Sequence, residues 1–328
     1  MARPAKPEPA QSTGLVVWAA LAGNLLVAAT KAGAALWTGS SSMLSEAVHS
    51  FVDAGNEVLL IYGIHRSKAD ADPEHPIGYG RELYFWSFIV AVLIFALGAG
   101  VSVFEGISHL RDRQPVEDAV VNYVVLALAL VFEGASWLIS LRQFKASKGE
   151  MGFIEAVRRS KDPPSFMVLF EDSAALVGIA LAAAGTYASA SLDLPEADGV
   201  ASILIGLMLA GTATLLARES KSLLIGERAD RELTDSIRRV VGELRAVERV
   251  NGLFTVQLAP DQVVAALSLE FADELRTPQI EAAVVEIEKR VKAAHPEVVA
   301  VFIKPQTNRA YQDREQRMVD SAGPAENG

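Results

Sequence analysis

The sequence predicts an α-helical membrane protein, with six transmembrane helices followed by a small cytoplasmic α+β domain of αββαβ, ferredoxin-like order. Three observations predict it. Apolar runs long enough to cross a bilayer recur through residues 14–225 and stop there. Lys and Arg gather in two of the joining loops. After Gly226 a charged amphipathic helix gives way to β-branched, alternating runs.

The spans read as 14–37, 42–64, 83–108, 117–141, 164–188 and 197–217, the last running on amphipathically to 225. Loop 65–82 carries Arg66, Lys68 and Arg81. Loop 142–163 carries Arg142, Lys145, Lys148, Arg158, Arg159 and Lys161, whereas loops 38–41 and 189–196 carry no Lys or Arg. The basic loops belong on the cytoplasmic side, which puts both termini there, as an even number of spans requires. "MARPAKPEPAQSTG" is polar and Pro-rich, so the first apolar run reads as a retained span and not a signal peptide. Residues 1–12 and 307–328 read as disordered, 13–225 as the membrane domain and 226–306 as the cytoplasmic domain. In the latter, "RADRELTDSIRRVVGEL" is a helix. "GLFTVQLAP" and "VVAALSLEFAD" form a hairpin. A helix from Thr277, with Pro278 in its first turn, stops before Pro296, and "EVVAVFIKP" is a strand.

Composition removes several classes. The chain has no cysteine, which excludes disulfides and thiolate metal sites and argues against Cu(I). The net charge is −10 and no basic patch with interleaved aromatics occurs, so nothing points to a nucleic-acid partner. The integral, multi-pass reading points to a bacterial-type inner (cell) membrane.

The second span, "LSEAVHSFVDAGNEVLLIYG", carries the chemistry. At ~100° per residue, with His49 at zero, Glu46 falls near 60°, Asp53 near 40° and Asn56 near −20°. An apolar helix thus gathers its costly groups on one face, and ionisable groups at bilayer depth are rare unless they line a path or site. His49 and Asp53 are i and i+4, the spacing that lets two side chains close on one ion. Glu171 and Asp172 lie at similar depth in the fifth span. Oxygen and imidazole nitrogen suit divalent zinc, cobalt, iron, nickel or manganese. The same groups can bind protons, and metal binding would release them, which is the basis of an antiporter. Lys31 is expected to pair with an acid or snorkel, and Asp198 to cap the sixth span.

"TGSSSMLSEAVHSFVDAGNEVLLIYG" with the following "DPEHPIGYGRELYFW" resembles the second span and loop of the cation diffusion facilitator family. "FEGISHL", "DGVASILIGLMLA" and "HPEVVAVFIKP" are similar too. The resemblance implies proton-coupled efflux of divalent cations from the cytosol by a homodimer, with a metal ion as cargo and no cofactor. It carries a ligand set onto His49, Asp53 and Asp172; the family's fourth position falls on Val168, which leaves Glu171 or Asn56 to complete the shell. The Glu-Asp pair in span five resembles one branch of the family. A peripheral site is implied at Asp72 and His75, where Tyr79 stands in place of a second histidine. His295 is the one histidine of the soluble domain, which is therefore read as a dimerisation unit.

Zinc is the leading ion for a secondary transporter that is not an enzyme. Two other readings use the same residues. An intramembrane aspartyl protease would need Asp53 and Asp172 to share a proton. A non-transporting metal sensor would bind without turnover.

Overall fold

The computed structural model describes residues 11–112, 118–148 and 151–322. Among the described residues seven helices, α1 Gln11–Thr38, α2 Ser41–Ser67, α3 Glu82–Arg111, α4 Ala119–Lys148, α5 Phe153–Arg159, α6 Pro163–Ser191 and α7 Glu196–Ile225, precede a small sheet domain. Among the described residues α3, α4, α6 and α7 are long and apolar enough to cross a membrane. The chain divides into two compact units. The first holds α1, α2 as far as His65, α3 from Phe85, α4 to α6, and α7 as far as Lys221; the second holds Arg66–Tyr84 and the chain from Ser222 onward.

In the first unit Phe166, Met167, Leu169, Ile205, Leu209 and Leu216 are buried within the bundle. α3 crosses α7 on glycine. A Cβ on Gly106 would stand 2.6 Å from the Gly199 carbonyl oxygen, and one on Gly206 would stand 2.9 Å from the Val103 amide nitrogen. Where lipid is as apolar as leucine, this backbone approach replaces hydrophobic burial as the source of helix attraction. α3 also carries a π-helical stretch, Ile94–Ala99.

Asp198 behaves differently from expectation. It is fully buried and caps not α7 but the N-terminus of α2. Its carboxylate accepts from the Ser41 amide at 2.6 Å, the Ser42 amide at 3.2 Å and the Ser40 hydroxyl at 2.9 Å, as well as from the Ser42 hydroxyl. The first-turn amides of α2 and their positive dipole end meet a carboxylate supplied by another helix. The start of the helix that carries the polar face is thereby pinned to α7.

The second unit is a two-layer α+β arrangement. Strand β1 (Val247–Ala259) pairs antiparallel with β2 (Gln262–Phe271), and β3 (Val298–Pro305) joins β2 in parallel. Helices α8 (Arg231–Gly242) and α9 (Thr277–Ala294) bury Ile237, Val241, Ile287 and Val291 with Val263, Ala265, Leu267 and Leu269 of β2. The expected α-β-β-α-β order is present, with β1 beginning at Val247, ahead of the expected Gly252. The tail expected to be disordered carries instead a helix, α10 (Asn308–Ala322); residues 323–328 lie outside those described, as do residues 1–10 of the N-terminal stretch. Tyr311 explains α10: its ring is buried against Gly252, where any side chain would collide with it.

Candidate functional site

Each polar group on α2 has its own neighbour. Glu46, with no exposure, accepts from the Lys31 ammonium of α1 at 3.0 Å; Lys31 also donates to the Ser50 hydroxyl at 2.8 Å and lies 3.8 Å from Glu133 of α4. Glu46 fits because residue 178 of α6 is glycine: its Oε1 occupies the space a Cβ there would fill. His49 Nε2 and Asp53 Oδ2 stand 3.5 Å apart, beyond a good hydrogen bond but close enough to chelate. The Asn56 amide donates to Glu171 Oε1 of α6 at 3.2 Å. Glu57, at the edge of the face, accepts from Asn24 of α1 at 2.7 Å.

The two acids of α6 are sorted in an unexpected way. Asp172 was the expected partner of His49 and Asp53, with Glu171 reaching round. In the structure Asp172 faces α4, accepting from the hydroxyls of Ser136 at 3.0 Å and Ser140 at 3.1 Å. Glu171, 6% exposed, turns to α2. Adjacent helical residues diverge by about 100°, so only one of the pair can face α2. Val168 has no donor atom to offer. Sequence reasoning passed over Ser136 and Ser140; their i, i+4 spacing on a mainly apolar helix was the available signal.

Several buried atoms on α2 have no hydrogen-bond partner: both ring nitrogens of His49, Oδ1 of Asp53, Oδ1 of Asn56 and Oε1 of Glu46. Burying a polar group without a partner costs about 1–3 kcal/mol, so such a concentration on one stripe is expensive unless another species supplies the bonds. The donors are carboxylate and amide oxygens and imidazole nitrogens, a set that fits a divalent cation of borderline softness. Among the described residues, no three His, Asp or Glu side chains converge closely enough to hold an ion as they stand. A cation here would need His49 and Asp53 to be joined by Glu171 or Asp172 through a side-chain shift. The aspartates themselves have different partners, His49 for one and two serines for the other, which leaves a proton-sharing dyad without support.

The peripheral pair sits in the α2–α3 loop. His75 Nδ1 lies 3.4 Å from Asp72 Oδ1, but that oxygen already accepts from the amides of Glu74 at 2.9 Å and His75 at 2.6 Å. The other oxygen accepts from the Tyr79 hydroxyl at 2.6 Å. Tyr79's hydrogen bond, ahead of the amide bonds, holds the Asp72 carboxyl below the usual carboxylate range. The His75 ring stacks on Tyr79 with centroids 4.2 Å apart. These contacts build a closed turn, with the tyrosine making the bond a second ligand would have left open. In the soluble domain His295 bonds the Ser236 hydroxyl at 2.9 Å, tying the end of α9 to α8.

Residues 17–225 match the cation efflux transmembrane domain. The chain is 33% identical over 268 residues to metal tolerance protein C4 of Arabidopsis thaliana, covering 81% of this chain and 57% of that protein. It is 33% identical over 261 residues to the human mitochondrial proton-coupled zinc antiporter SLC30A9, covering 79% of this chain and 46% of that protein. Cation-efflux pump FieF of Shewanella oneidensis is 25% identical over 284 residues, 87% of this chain and 90% of that protein. The chain spans about half the length of the first two relatives. The domain match and these identities together establish that the chain belongs to the cation efflux, or cation diffusion facilitator, family.

Proposed function

We propose that this chain exports divalent metal cations from the cytosol in exchange for protons, with zinc as the leading ion and iron, cobalt, nickel and manganese as alternatives. The observation that carries the reading is the stripe of unpartnered nitrogen and oxygen atoms on His49, Asp53 and Asn56, buried inside a helical bundle and faced by Glu171. Metal and protons would compete for the same lone pairs, so loading one would discharge the other. α1 and α2 would add two spans to the four apolar helices, giving six and placing both termini in the cytoplasm of a cell whose inner membrane holds the protein. Two copies would form the transporter, joined in part through the sheet domain. The name of the human relative, a proton-coupled zinc antiporter, supports both the ion and the coupling.

The test is transport by the full chain in liposomes, with a panel of the five metals outside and a pH dye inside. Metal-driven proton movement is expected, with apparent affinity weakening as pH falls, because protons and metal compete for the same lone pairs. Metal entry without proton movement would remove the antiport reading, and no entry of any metal would remove transport.

The sorting of the two acids of α6 makes a further prediction. Glu171→Gln is expected to weaken metal binding by about tenfold or more, or about 1.4 kcal/mol, in calorimetry. Asp172→Asn should cost less, because two serine hydroxyls already hold that carboxylate toward α4. A larger loss in Asp172→Asn would mean that Asp172 leaves its serines to join the ion.

A further inference from the structure

The end of α3 holds a second group of ligating side chains, remote from the candidate transport residues. Glu105, Ser108, His109 and Asp112 line a cavity of about 210 Å³ with Ser40 and Ser41 of the α1–α2 turn. Asp53 lies about 18 Å further along α2 from Ser41, so the two regions are separate. His109 is 9% exposed, and neither ring nitrogen has a protein partner. Gly199 of α7 packs on its Cβ, which fixes the stem while the ring borders the cavity. A buried imidazole left without bonds is costly. Glu105 is one turn back, at the i, i+4 spacing by which one helix offers two ligands to one ion.

We infer that this cavity is a second divalent-cation site, with the imidazole of His109 and the carboxylate of Glu105 as its protein ligands and water completing the shell. The inference rests on the transport reading only for the direction of travel: the cavity is at the α1–α2 end of the bundle, which that reading places outside the cytosol, so the site is one of release. Its donor set is the borderline one of nitrogen and oxygen, so it takes the same class of ion. With no third His, Asp or Glu converging among the described residues, it is a weak site. Weak binding suits an exit, because an ion held by a full protein shell would not leave.

The experiment uses the full chain in lipid nanodiscs, with Asp53→Ala to disable the candidate transport site and Co(II) alone as the probe. Visible absorption reports imidazole coordination and calorimetry reports affinity. Asp53→Ala is expected to retain one weak Co(II) site with an imidazole signature. Adding His109→Asn should lower its affinity about tenfold or more and erase that signature, and adding Glu105→Gln should lower affinity by a similar factor while keeping it. If His109→Asn fails to elute as a folded protein, Glu105→Gln carries the test. No residual binding in Asp53→Ala, or residual binding indifferent to both substitutions, overturns the site. Loss of transport in the wild type with His109-dependent binding intact would instead overturn the transport reading and leave the site standing.

Discussion

Asp53→Ala is expected to abolish metal-driven proton flux in liposomes while the protein still purifies as a folded species. Asp53 is the one acid on α2 that is paired with neither a lysine nor an amide: its neighbour at ion-pair distance is His49, at 3.5 Å, and its Oδ1 has no partner. Removing its carboxylate takes away one formal charge from a set that must balance a dication, and leaves His49 without its i+4 partner. A site with one protein donor fewer loses both the metal and the proton it would exchange. Folding should survive, because Asp53 makes no hydrogen bond that fixes a helix and its side chain is 17% exposed, so a small apolar residue leaves little behind to satisfy. Flux at the wild-type level in Asp53→Ala would remove the transport site proposed here. Loss of flux with loss of the folded species would point to a packing role, and circular dichroism with size-exclusion separates the two.

The helices and the αββαβ order were legible because they depend on periodicity and on turn residues, which are local properties of the chain. The polar face of α2 was legible for the same reason: His49, Asp53 and Asn56 follow from 100° per residue. What was not legible is which neighbour each group meets. Glu171 and Asp172 differ by one residue, and their assignment to α2 or α4 is decided by how α6 is rotated in the bundle, a tertiary fact. Asp198 has the position of a cap for its own helix, yet its acceptor oxygens serve Ser41 and Ser42, more than 150 positions away in the chain. α10 was hidden by composition: "NRAYQDREQRMVDSA" is polar, and its ordering turns on one aromatic ring finding one glycine. Glu46 belonged to the same polar face as His49, and only the bundle shows that Lys31 claims it.

Lys31→Met should lower the stability of the membrane unit by about 3–5 kcal/mol, the usual cost of removing one partner from a buried ion pair. Lys31 and Glu46 have no solvent exposure, so water cannot take over when the ammonium is gone. Glu133, 15% exposed at 3.8 Å, can turn toward water and is the lesser loss. The penalty therefore falls on Glu46, whose Oε1 already sits without a partner against Gly178. The second substitution decides what the pair is for. Glu46→Gln keeps shape and removes the charge, so the double variant Lys31→Met/Glu46→Gln should recover most of the stability lost in Lys31→Met, since a neutral pair of similar volume no longer needs a counter-ion. Thermal unfolding in detergent gives the stability cycle, and liposome flux gives the functional one. Recovery of both stability and flux in the double variant would define Lys31–Glu46 as a strut that holds α1 against the helix bearing His49 and Asp53. Recovery of stability without flux would show that the charges themselves take part in moving the cation. Full stability in Lys31→Met alone would mean that Glu46 is already neutral in the folded protein, and the ion pair at 3.0 Å would have to be read as a charged donor on a protonated acid.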